Sequence, residues 1–255
     1  MTFDTLAMDL NLRKELLEDL DKFMNGKEYY KKVGKAWKRG YFLYGPPGTG
    51  KSSLIAAMAN HLKFDIYDLD LTNIDSNNEL IDILLRMPGR SILVIEDIDC
   101  LIKPQNRSRR VQPFTQDKDK IYVNLYFVIS TLVTLSGLLN YIDGIFSCFG
   151  EGRIIIFTTN YKERLDPALL RPGRMDIHIF MSFCNPNVFK QLAYNYLGLQ
   201  HHNLHGEIES LIKEIEVTPA EVAGELMKST DADISLQGLL NFLYNKRIEQ
   251  DKSSK

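Results

Sequence analysis

The chain has 255 residues, with 31 Lys and Arg against 33 Asp and Glu, so its formal charge at pH 7 is −2. A chain this close to neutral has no overall basic field to attract nucleic acid or an anionic membrane surface. Hydrophobic residues make up 44% of it, which is typical of a globular protein. No stretch reaches the roughly 20 apolar residues that a membrane-spanning helix needs.

The three cysteines, Cys100, Cys148 and Cys184, lie far apart and show no CxxC spacing. This spacing indicates buried thiols in a reducing compartment rather than a disulfide framework. The segment Met1 to Leu10 is partly acidic and has no basic-then-apolar run, so no signal or transit peptide is visible. Any membrane attachment is therefore expected to come from a segment absent from this chain or from a partner.

The first part of the chain alternates predicted helices and strands. Asp9 can cap a helix in which Leu16, Leu20 and Phe23 recur at helical spacing, and Gly26 supplies a stop. Strands separated by helices predict a parallel, five-stranded α/β sheet covered on both faces. The later elements are a strand at Tyr41–Tyr44, a helix at Lys51–Leu62, a strand at Phe64–Leu71, a helix at Glu79–Met87, and strands at Ile92–Ile95, Ile154–Phe157 and Ile177–Met181.

The pattern becomes wholly helical after Asn185. It predicts a core over residues 1–184 and a C-terminal helical lid subdomain over residues 185–255. Thr218-Pro219-Ala220-Glu221 reads as a capping box with proline at the first helical position. The polar tail from Glu249 is expected to fray. The predicted helices are Val188–Leu197, Ile208–Ile215, Val222–Met227 and Ile234–Leu243.

The segment after the first predicted strand fits GxxxxGK(S/T), the pattern of a phosphate-binding loop, and a predicted helix follows it. The glycines let backbone N–H groups turn inward around a polyphosphate, and the helix N-terminus adds partial positive charge. Lys51 can reach the β- and γ-phosphates of ATP, and the Ser52 hydroxyl can ligate Mg²⁺. A chance glycine-rich turn would lack this strand–loop–helix setting. The predicted nucleotide-binding residues are Gly45, Pro46, Pro47, Gly48, Thr49, Gly50, Lys51, Ser52 and Ser53.

Two adjacent acids, Glu96 and Asp97, follow the apolar strand Ile92–Ile95. Ligands of open α/β sheets collect at the carboxyl ends of the strands. One carboxylate can hold Mg²⁺, directly or through water, while its neighbour orients or deprotonates the attacking water. Acids also end strands as solvated turn residues. In combination with the loop, however, they predict a metal set of Ser52, Glu96 and Asp97.

Polar residues also follow two later strands. Asn160 comes after Ile154–Phe157, where an amide can position a water or contact a phosphate, or can simply form a turn. Arg171 and Arg174 flank a Pro-Gly turn, and guanidinium groups bind phosphate oxygens bidentately. A pair of surface arginines would have the same spacing, so spacing alone does not decide their role.

In their order along the chain, these motifs resemble Walker A, Walker B, sensor 1 and the second region of homology of an AAA ATPase. The resemblance covers nearly the whole chain and implies an ATP hydrolase with a P-loop NTPase core. It assigns catalysis to Glu96, Asp97 and Asn160. It also implies a homo-oligomeric ring in which Arg171 and Arg174 reach the neighbouring subunit's nucleotide. The motif segments are Gly45–Ser52, Glu96-Asp97, Thr158-Thr159-Asn160 and Leu165–Arg174.

The chain is also similar to a narrower branch, the mitochondrial chaperones that assemble the cytochrome bc complex, and to the plant relatives of that branch. Arg39–Tyr44, Ile95–Asp99 and Leu135–Gly144 carry this resemblance. By position, Glu96 matches the Mg²⁺-side acid and Asp97 the catalytic one, though either carboxylate can serve either role. The branch implies chaperone-like remodelling or translocation of a protein cargo, and mitochondrial or other membrane-associated placement. Its usual N-terminal anchor is missing, so a fragment or a short isoform is expected.

Two stretches depart from the family pattern. Leu71–Asn78 has neither the aromatic residue nor the glycine of a pore loop that threads unfolded chains, which agrees with a branch that moves folded cargo. An atypical insert at about 102–134 contains a basic loop and then an apolar, β-prone run, Ile121–Ser130. That run is an extra strand, a partner-binding segment or sequence from an atypical transcript.

Two other functions stay open. A nucleic-acid-directed AAA protein is disfavoured by the acidic balance and by the lack of a DNA-binding module, so no nucleic-acid partner is expected. A scaffold that binds ATP without efficient hydrolysis would follow if the run Ile121–Ser130 blocks turnover. His201, His202 and His205 have no accompanying cysteine or acid cluster, which predicts a polar loop rather than a metal site.

Overall fold

A computed structural model of the chain describes residues 1–71, 73–74, 76–99 and 152–253. These residues form five β-strands and eight α-helices. In chain order they are α1 (Leu10–Met24), α2 (Lys27–Lys32), β1 (Lys38–Tyr44), α3 (Lys51–Leu62), β2 (Asp65–Asp68), α4 (Asn77–Arg86), β3 (Ser91–Ile95), β4 (Arg153–Thr159), a 3-10 turn (Lys162–Arg164), β5 (Ile177–Phe180), α5 (Pro186–Leu197), α6 (His205–Glu214), α7 (Pro219–Leu226) and α8 (Ala232–Ser253).

The five strands form one sheet in the order β2-β3-β4-β1-β5. Strand β3 pairs in parallel with β2 and with β4, so that Ile92 lies opposite Ile66 on one side and Ile154 on the other. All of β3 and most of β4 are buried, as expected for central strands covered on both faces. The predicted parallel five-stranded α/β sheet is confirmed.

The described chain divides into two compact units. The loop unit consists of Met1–Lys22, Tyr44–Lys63 and Phe180–Lys255, and the sheet unit consists of Phe23–Leu43 and Phe64–Ile179. The phosphate-binding loop therefore groups in space with the C-terminal helices. Within the described ranges, none of the helices combines the length and the apolarity needed to cross a membrane.

The helices after Asn185 share one apolar core within the loop unit. Phe189 of α5, Ile208 of α6, Val222 of α7 and Leu239 of α8 are all fully buried in it. Because each helix contributes a buried stripe at helical spacing, the predicted four-helix character of this region is confirmed.

Side-chain caps fix the starts of several helices. The Asp9 carboxylate accepts from the backbone N–H groups of Asn11 and Leu12 at 2.9 and 3.0 Å, which confirms the predicted cap of α1. Thr218 and Glu221 form the predicted capping box at the start of α7. Burial raises the pKa of the Glu221 carboxyl, but the hydrogen bonds from Lys246 and Thr218 outweigh burial, and the net pKa is lowered. The box thus stabilises the fold at neutral pH, and this contribution is lost as the pH falls through the lowered pKa.

The N-terminal segment connects α3 to α5 within the loop unit. Met8 exchanges two hydrogen bonds with the Gln191 side chain, at 3.0 and 3.2 Å. The Asn195 amide donates to the Thr5 carbonyl at 2.9 Å, and the Asn60 amide donates to the Met1 carbonyl at 3.2 Å. Residues before α1 are therefore an ordered part of this unit.

Three elements differ from the sequence predictions. Helix α2 was not predicted, because none of its side chains is buried and it offers no apolar stripe. Strand β2 is shorter than Phe64–Leu71, and all four of its residues are exposed at the sheet edge. Helix α8 continues past Glu249 to Ser253 instead of fraying. The Gln250 side chain explains this, because it exchanges hydrogen bonds of 3.1 and 2.9 Å with the Glu216 backbone.

We expect Gly40→Ala to destabilise the sheet unit by about 3 kcal/mol, because overpacking against rigid atoms is costly. A Cβ on Gly40 would lie 1.8 Å from the backbone carbonyl oxygen of Arg174, which cannot swing aside. Urea unfolding measures the change. The matched control is Gly224→Ala in α7, where the added Cβ meets nothing within 4 Å. That variant is expected to be more stable by about 0.5–1 kcal/mol. A Gly40→Ala protein as stable as the parent would contradict the close approach.

Candidate active site

The phosphate-binding loop lies between β1, which ends at Tyr44, and α3, which begins at Lys51. Three of its glycines, Gly45, Gly48 and Gly50, have φ angles of +142°, +78° and +96°. Side chains are disfavoured at such angles, so glycine is needed for this backbone path. The strand–loop–helix setting required of the motif is present.

The loop offers unused hydrogen-bond donors at the start of α3. Among the described residues, no acceptor receives the backbone N–H groups of Gly48, Thr49 and Gly50. Gly50 is the N-cap of α3 and has no side-chain capping bond. Unused N–H groups at a helix N-terminus attract phosphate, both as donors and through the helix dipole. The loop therefore fits a polyphosphate.

Two side chains of the loop hold its own backbone. The Lys51 ammonium donates to the carbonyl oxygens of Gly45 and Pro46 at 2.8 and 3.1 Å. The buried Thr49 hydroxyl donates to the Pro46 carbonyl at 2.8 Å. Thr49 thus braces the loop. Ser52, in the first turn of α3, is exposed, and Ser53 after it is half-buried.

Direct backbone contacts within the loop unit fix the start and the middle of the loop. The Met181 N–H donates to the Tyr44 carbonyl at 2.8 Å, and a Cβ on Gly45 would lie 2.1 Å from the Met181 carbonyl oxygen. At Gly48, which we call the crest of the loop, the backbone carbonyl accepts from the Ala220 N–H at 3.1 Å. The N-terminus of α7 thus rests on the loop.

In the sheet unit, two of the predicted catalytic residues lie together. The Asn160 amide donates to a carboxylate oxygen of Asp97 at 3.3 Å, and the Asp97 N–H donates to the Thr158 hydroxyl at the same distance. The parallel register, with Ile95 opposite Phe157, brings the two strand ends level.

Glu96 and Asp97 are exposed, so both carboxylates are accessible. Asp97 has a φ of +48°, an uncommon angle for a residue with a side chain.

Asp99, for which the sequence predicts no role, bonds to the strand residue next to Asn160. Its carboxylate accepts from the buried Thr159 hydroxyl at 2.7 Å and lies 3.9 Å from the Arg164 guanidinium. The guanidinium in turn stacks 3.6 Å from the ring centroid of Tyr161. An acid two residues after Asp97 was the available signal, but its partners lie about 60 residues away in sequence, as the hydrogen bond to Thr159 shows.

The two predicted arginines differ in their surroundings. The Arg174 guanidinium donates to the Ala168 carbonyl at 2.5 Å and so holds the turn closed. Asp176, a residue that the sequence reasoning missed, accepts from the N–H groups of Gly173 and Gly40, each at 2.9 Å. Arg171 is exposed, and in the part of the chain that the structure describes its side chain forms no hydrogen bond, ion pair or ring contact.

The polar loop predicted for His201, His202 and His205 does not hold for all three histidines. His205 is buried at the start of α6, so the prediction of a polar loop is wrong for it. His202 shares a hydrogen bond of 3.0 Å with Asp233. Over the described ranges, no cluster of three or more His, Cys, Asp or Glu residues is suited to hold a metal ion.

Cys184 is buried, as predicted, and burial raises the pKa of its thiol to about 12. Several sequence predictions fall outside the described residues. They are Cys100, Cys148, the insert at about 102–134 with its run Ile121–Ser130, and the motif Leu135–Gly144.

A parallel sheet whose first strand leads through a glycine-rich loop into a helix defines an α/β P-loop NTPase fold. Two family models cover most of the chain. Residues 41–183 match the ATPase family associated with various cellular activities (AAA), and residues 184–255 match the At3g28540-like AAA+ ATPase lid domain. The chain belongs to the AAA ATPase family. This membership implies ATP binding and hydrolysis at the level of the family, and it confirms the lid subdomain.

Proteins of Arabidopsis thaliana match the chain along nearly its full length. It is 56% identical over 256 residues to AAA-ATPase At2g18193, 57% over 254 residues to Protein HYPER-SENSITIVITY-RELATED 4, and 57% over 253 residues to AAA-ATPase At3g50940. These alignments cover 49%, 43% and 53% of the relatives. The chain therefore spans about half the length of the curated relatives it matches.

We expect the strained backbone at Asp97 to show in stability. Asp and Asn tolerate the left-handed conformation, whereas for alanine it costs roughly 1–2 kcal/mol. Asp97→Ala should therefore be less stable than Asp97→Asn by about 1 kcal/mol in urea unfolding. The Asn variant also keeps an oxygen that can accept from Asn160. Equal stabilities of the two variants would contradict a left-handed Asp97.

The buried His205 should make the fold sensitive to acid. Burial and the neighbouring His202 lower its pKa, and its Nε2 atom has no hydrogen-bond partner. The unfolded chain takes up a proton near pH 6.5 while the folded chain resists, so stability falls as the pH drops below about 6.5. We expect His205→Leu to lose less stability than the parent between about pH 7.5 and pH 5.5. The control is the exposed His178→Leu, which should lose as much as the parent because His178 is not one of the groups that shift the pKa of His205. An equal loss in His205→Leu would contradict the assignment.

Proposed function

We propose that this chain binds ATP with Mg²⁺ at the loop Gly45–Ser52 and hydrolyses it as one subunit of a ring, to remodel or translocate a protein cargo. The observation that carries the proposal is the set of unused N–H groups at the start of α3 in a member of the AAA ATPase family. A bound Mg·ATP supplies a reactive γ-phosphoryl group and a cation that neutralises phosphate charge. The chain must supply binding, orientation and proton transfer.

In the loop, Lys51 and Ser52 have the chemistry for the charged parts of the ligand. The Lys51 ammonium is held by two backbone carbonyls. Phosphate oxygens are stronger acceptors for an ammonium than neutral carbonyls, so the side chain can transfer its hydrogen bonds to them. The exposed Ser52 hydroxyl can serve as a Mg²⁺ ligand.

In the sheet unit, Asp97 and Asn160 form a pair suited to hold a water molecule. A carboxylate accepts the proton of an attacking water, and an amide fixes the orientation of that water. The 3.3 Å hydrogen bond between them keeps the two groups together. We assign Asp97 as the base and Glu96 as the acid on the Mg²⁺ side, as the family resemblance implies.

For the arginines, the surroundings favour Arg171 as the residue that acts on a neighbouring subunit's nucleotide. Its guanidinium is exposed, whereas that of Arg174 holds the local turn. A guanidinium that stabilises transition-state charge in trans accelerates hydrolysis by about 10³–10⁵-fold in other P-loop NTPases. A subunit without neighbours would then turn over ATP poorly.

The cargo and the placement rest on the branch resemblance. A chaperone-like action on folded protein fits the missing aromatic and glycine in Leu71–Asn78. Mitochondrial or other membrane-associated placement is proposed from the branch resemblance alone. The net charge of −2 supports a protein cargo over nucleic acid.

The test is ATP turnover per subunit as a function of protein concentration, with Lys51→Ala as the blank. We expect the rate per subunit to rise with concentration, because neighbours complete each site. Asp97→Asn should bind ATP without turning it over, and Arg171→Ala should lose turnover by about 10³-fold or more. Mixing these two variants should restore part of the rate, because each supplies what the other lacks.

The outcomes separate the alternatives. Normal turnover in Asp97→Asn would overturn its assignment as the base. A mixture no more active than its components would overturn the action of Arg171 in trans. Retained ATP binding with no turnover at any concentration would favour a non-hydrolysing scaffold, and stimulation by DNA would favour a nucleic-acid-directed protein. Wild-type ATP binding that Lys51→Ala leaves unchanged would overturn the loop as the site.

A further inference from the structure

The crest of the phosphate-binding loop is in direct contact with the start of α7. The Ala220 N–H donates to the Gly48 carbonyl at 3.1 Å. A Cβ on Gly48 would lie 3.2 Å from the Thr218 hydroxyl oxygen and 3.3 Å from the Ala220 Cβ. The start of α7 therefore lies directly against Gly48, with no room for a side chain between them.

This contact uses the first N–H group that α7 has available. Pro219, the first residue of the helix, has no N–H. The N–H groups of Glu221 and Val222 donate to the side chain and the carbonyl of Thr218, at 3.2 and 3.1 Å. The Ala220 N–H is thus the donor that the cap leaves over, and it points to the loop.

Glu221 fixes the direction of that donor. One of its carboxylate oxygens accepts from the N–H and the hydroxyl of Thr218, at 2.8 and 2.9 Å. The other accepts from the Lys246 ammonium of α8. Lys246 is only 19% exposed and also lies 5.8 Å from the ring centroid of Phe242. One carboxylate therefore ties the start of α7 to both the cap residue and α8.

We propose that Glu221 is a positioning residue for the phosphate-binding loop. Together with Thr218 and Lys246, it holds the Ala220 N–H against the Gly48 carbonyl. The peptide that carries the Gly48 carbonyl also carries the N–H of Thr49, one of the unused donors. Fixing the carbonyl thus orients the donor on the opposite side of the same planar group. This inference rests on the proposed nucleotide binding at the loop.

The expected effect is on affinity. If Glu221 is replaced by an uncharged isostere, the loop spends a smaller fraction of its time in the binding-competent arrangement. The apparent dissociation constant rises in inverse proportion to that fraction. We expect Glu221→Gln to weaken Mg·ADP binding about three- to tenfold, the effect of one hydrogen bond. Thr218→Val should weaken it similarly, and Thr218→Ser, which keeps the hydroxyl, should bind as the parent does.

The matched control is Glu214→Gln. Glu214 pairs at 3.1 Å with Arg247, the neighbour of Lys246 on α8, but caps no helix at the loop. Glu214→Gln is the same substitution, and it too removes an ion pair with a side chain of α8. Calorimetric titration with Mg·ADP should separate Glu221→Gln from both Glu214→Gln and the parent. Equal affinities for all three would overturn the inference.

Amide hydrogen exchange without nucleotide tests the contact directly. We expect faster exchange of the Ala220 amide, which donates to the Gly48 carbonyl, in Glu221→Gln than in Glu214→Gln. Unchanged exchange at Ala220 would overturn the inference even if affinity fell. Failure of the parent to bind Mg·ADP would instead overturn the proposed function, while the exchange result would still decide the role of Glu221.

Discussion

In each of the two units, a segment that carries candidate site residues is held by the close approach of backbone to backbone, where no side chain can fit. Gly40 lies against the carbonyl of Arg174 in the sheet unit, and Gly45 lies against Met181 in the loop unit. A Cβ at either place would meet a main-chain oxygen at about 2 Å, far inside contact distance. Such contacts are rigid because main-chain atoms cannot rotate away. They fix both the turn that carries the arginines and the start of the phosphate-binding loop.

The predicted catalytic side chains Asp97 and Asn160 are placed by a different interaction, the parallel pairing of β3 with β4. The register sets Ile95 opposite Phe157, so the residues that follow each strand emerge at the same level. There the Asn160 amide donates to the Asp97 carboxylate, and the Thr159 hydroxyl donates to the Asp99 carboxylate. The left-handed angle at Asp97 turns the chain at this point, and the hydrogen bond to Thr158 helps to hold it.

Whether a feature could be predicted depends on how far apart in the sequence the interacting residues lie. Periodic burial and short motifs lie within a few residues, so the sheet, the loop and the capping box at Thr218 were predicted from the sequence. Partners far apart in sequence leave no local pattern. The Asp176 carboxylate accepts from the N–H of Gly40, which lies 136 residues away in sequence, and no residue near Asp176 indicates this hydrogen bond. The same limit hid the burial of His205 and the contact of Gln250 that extends α8.

The grouping of the chain in space explains why the lid matters to the loop. The family matches meet between residues 183 and 184, yet the loop and α3 pack with the helices beyond that boundary. The loop's crest carbonyl is bound by α7, and α7 is bound to α8 through Glu221. A phosphate that pulls on the loop's N–H groups therefore acts on the same peptide planes that α7 holds. Binding at the loop and the position of these helices must then be linked thermodynamically, because each favours particular orientations of the same backbone groups.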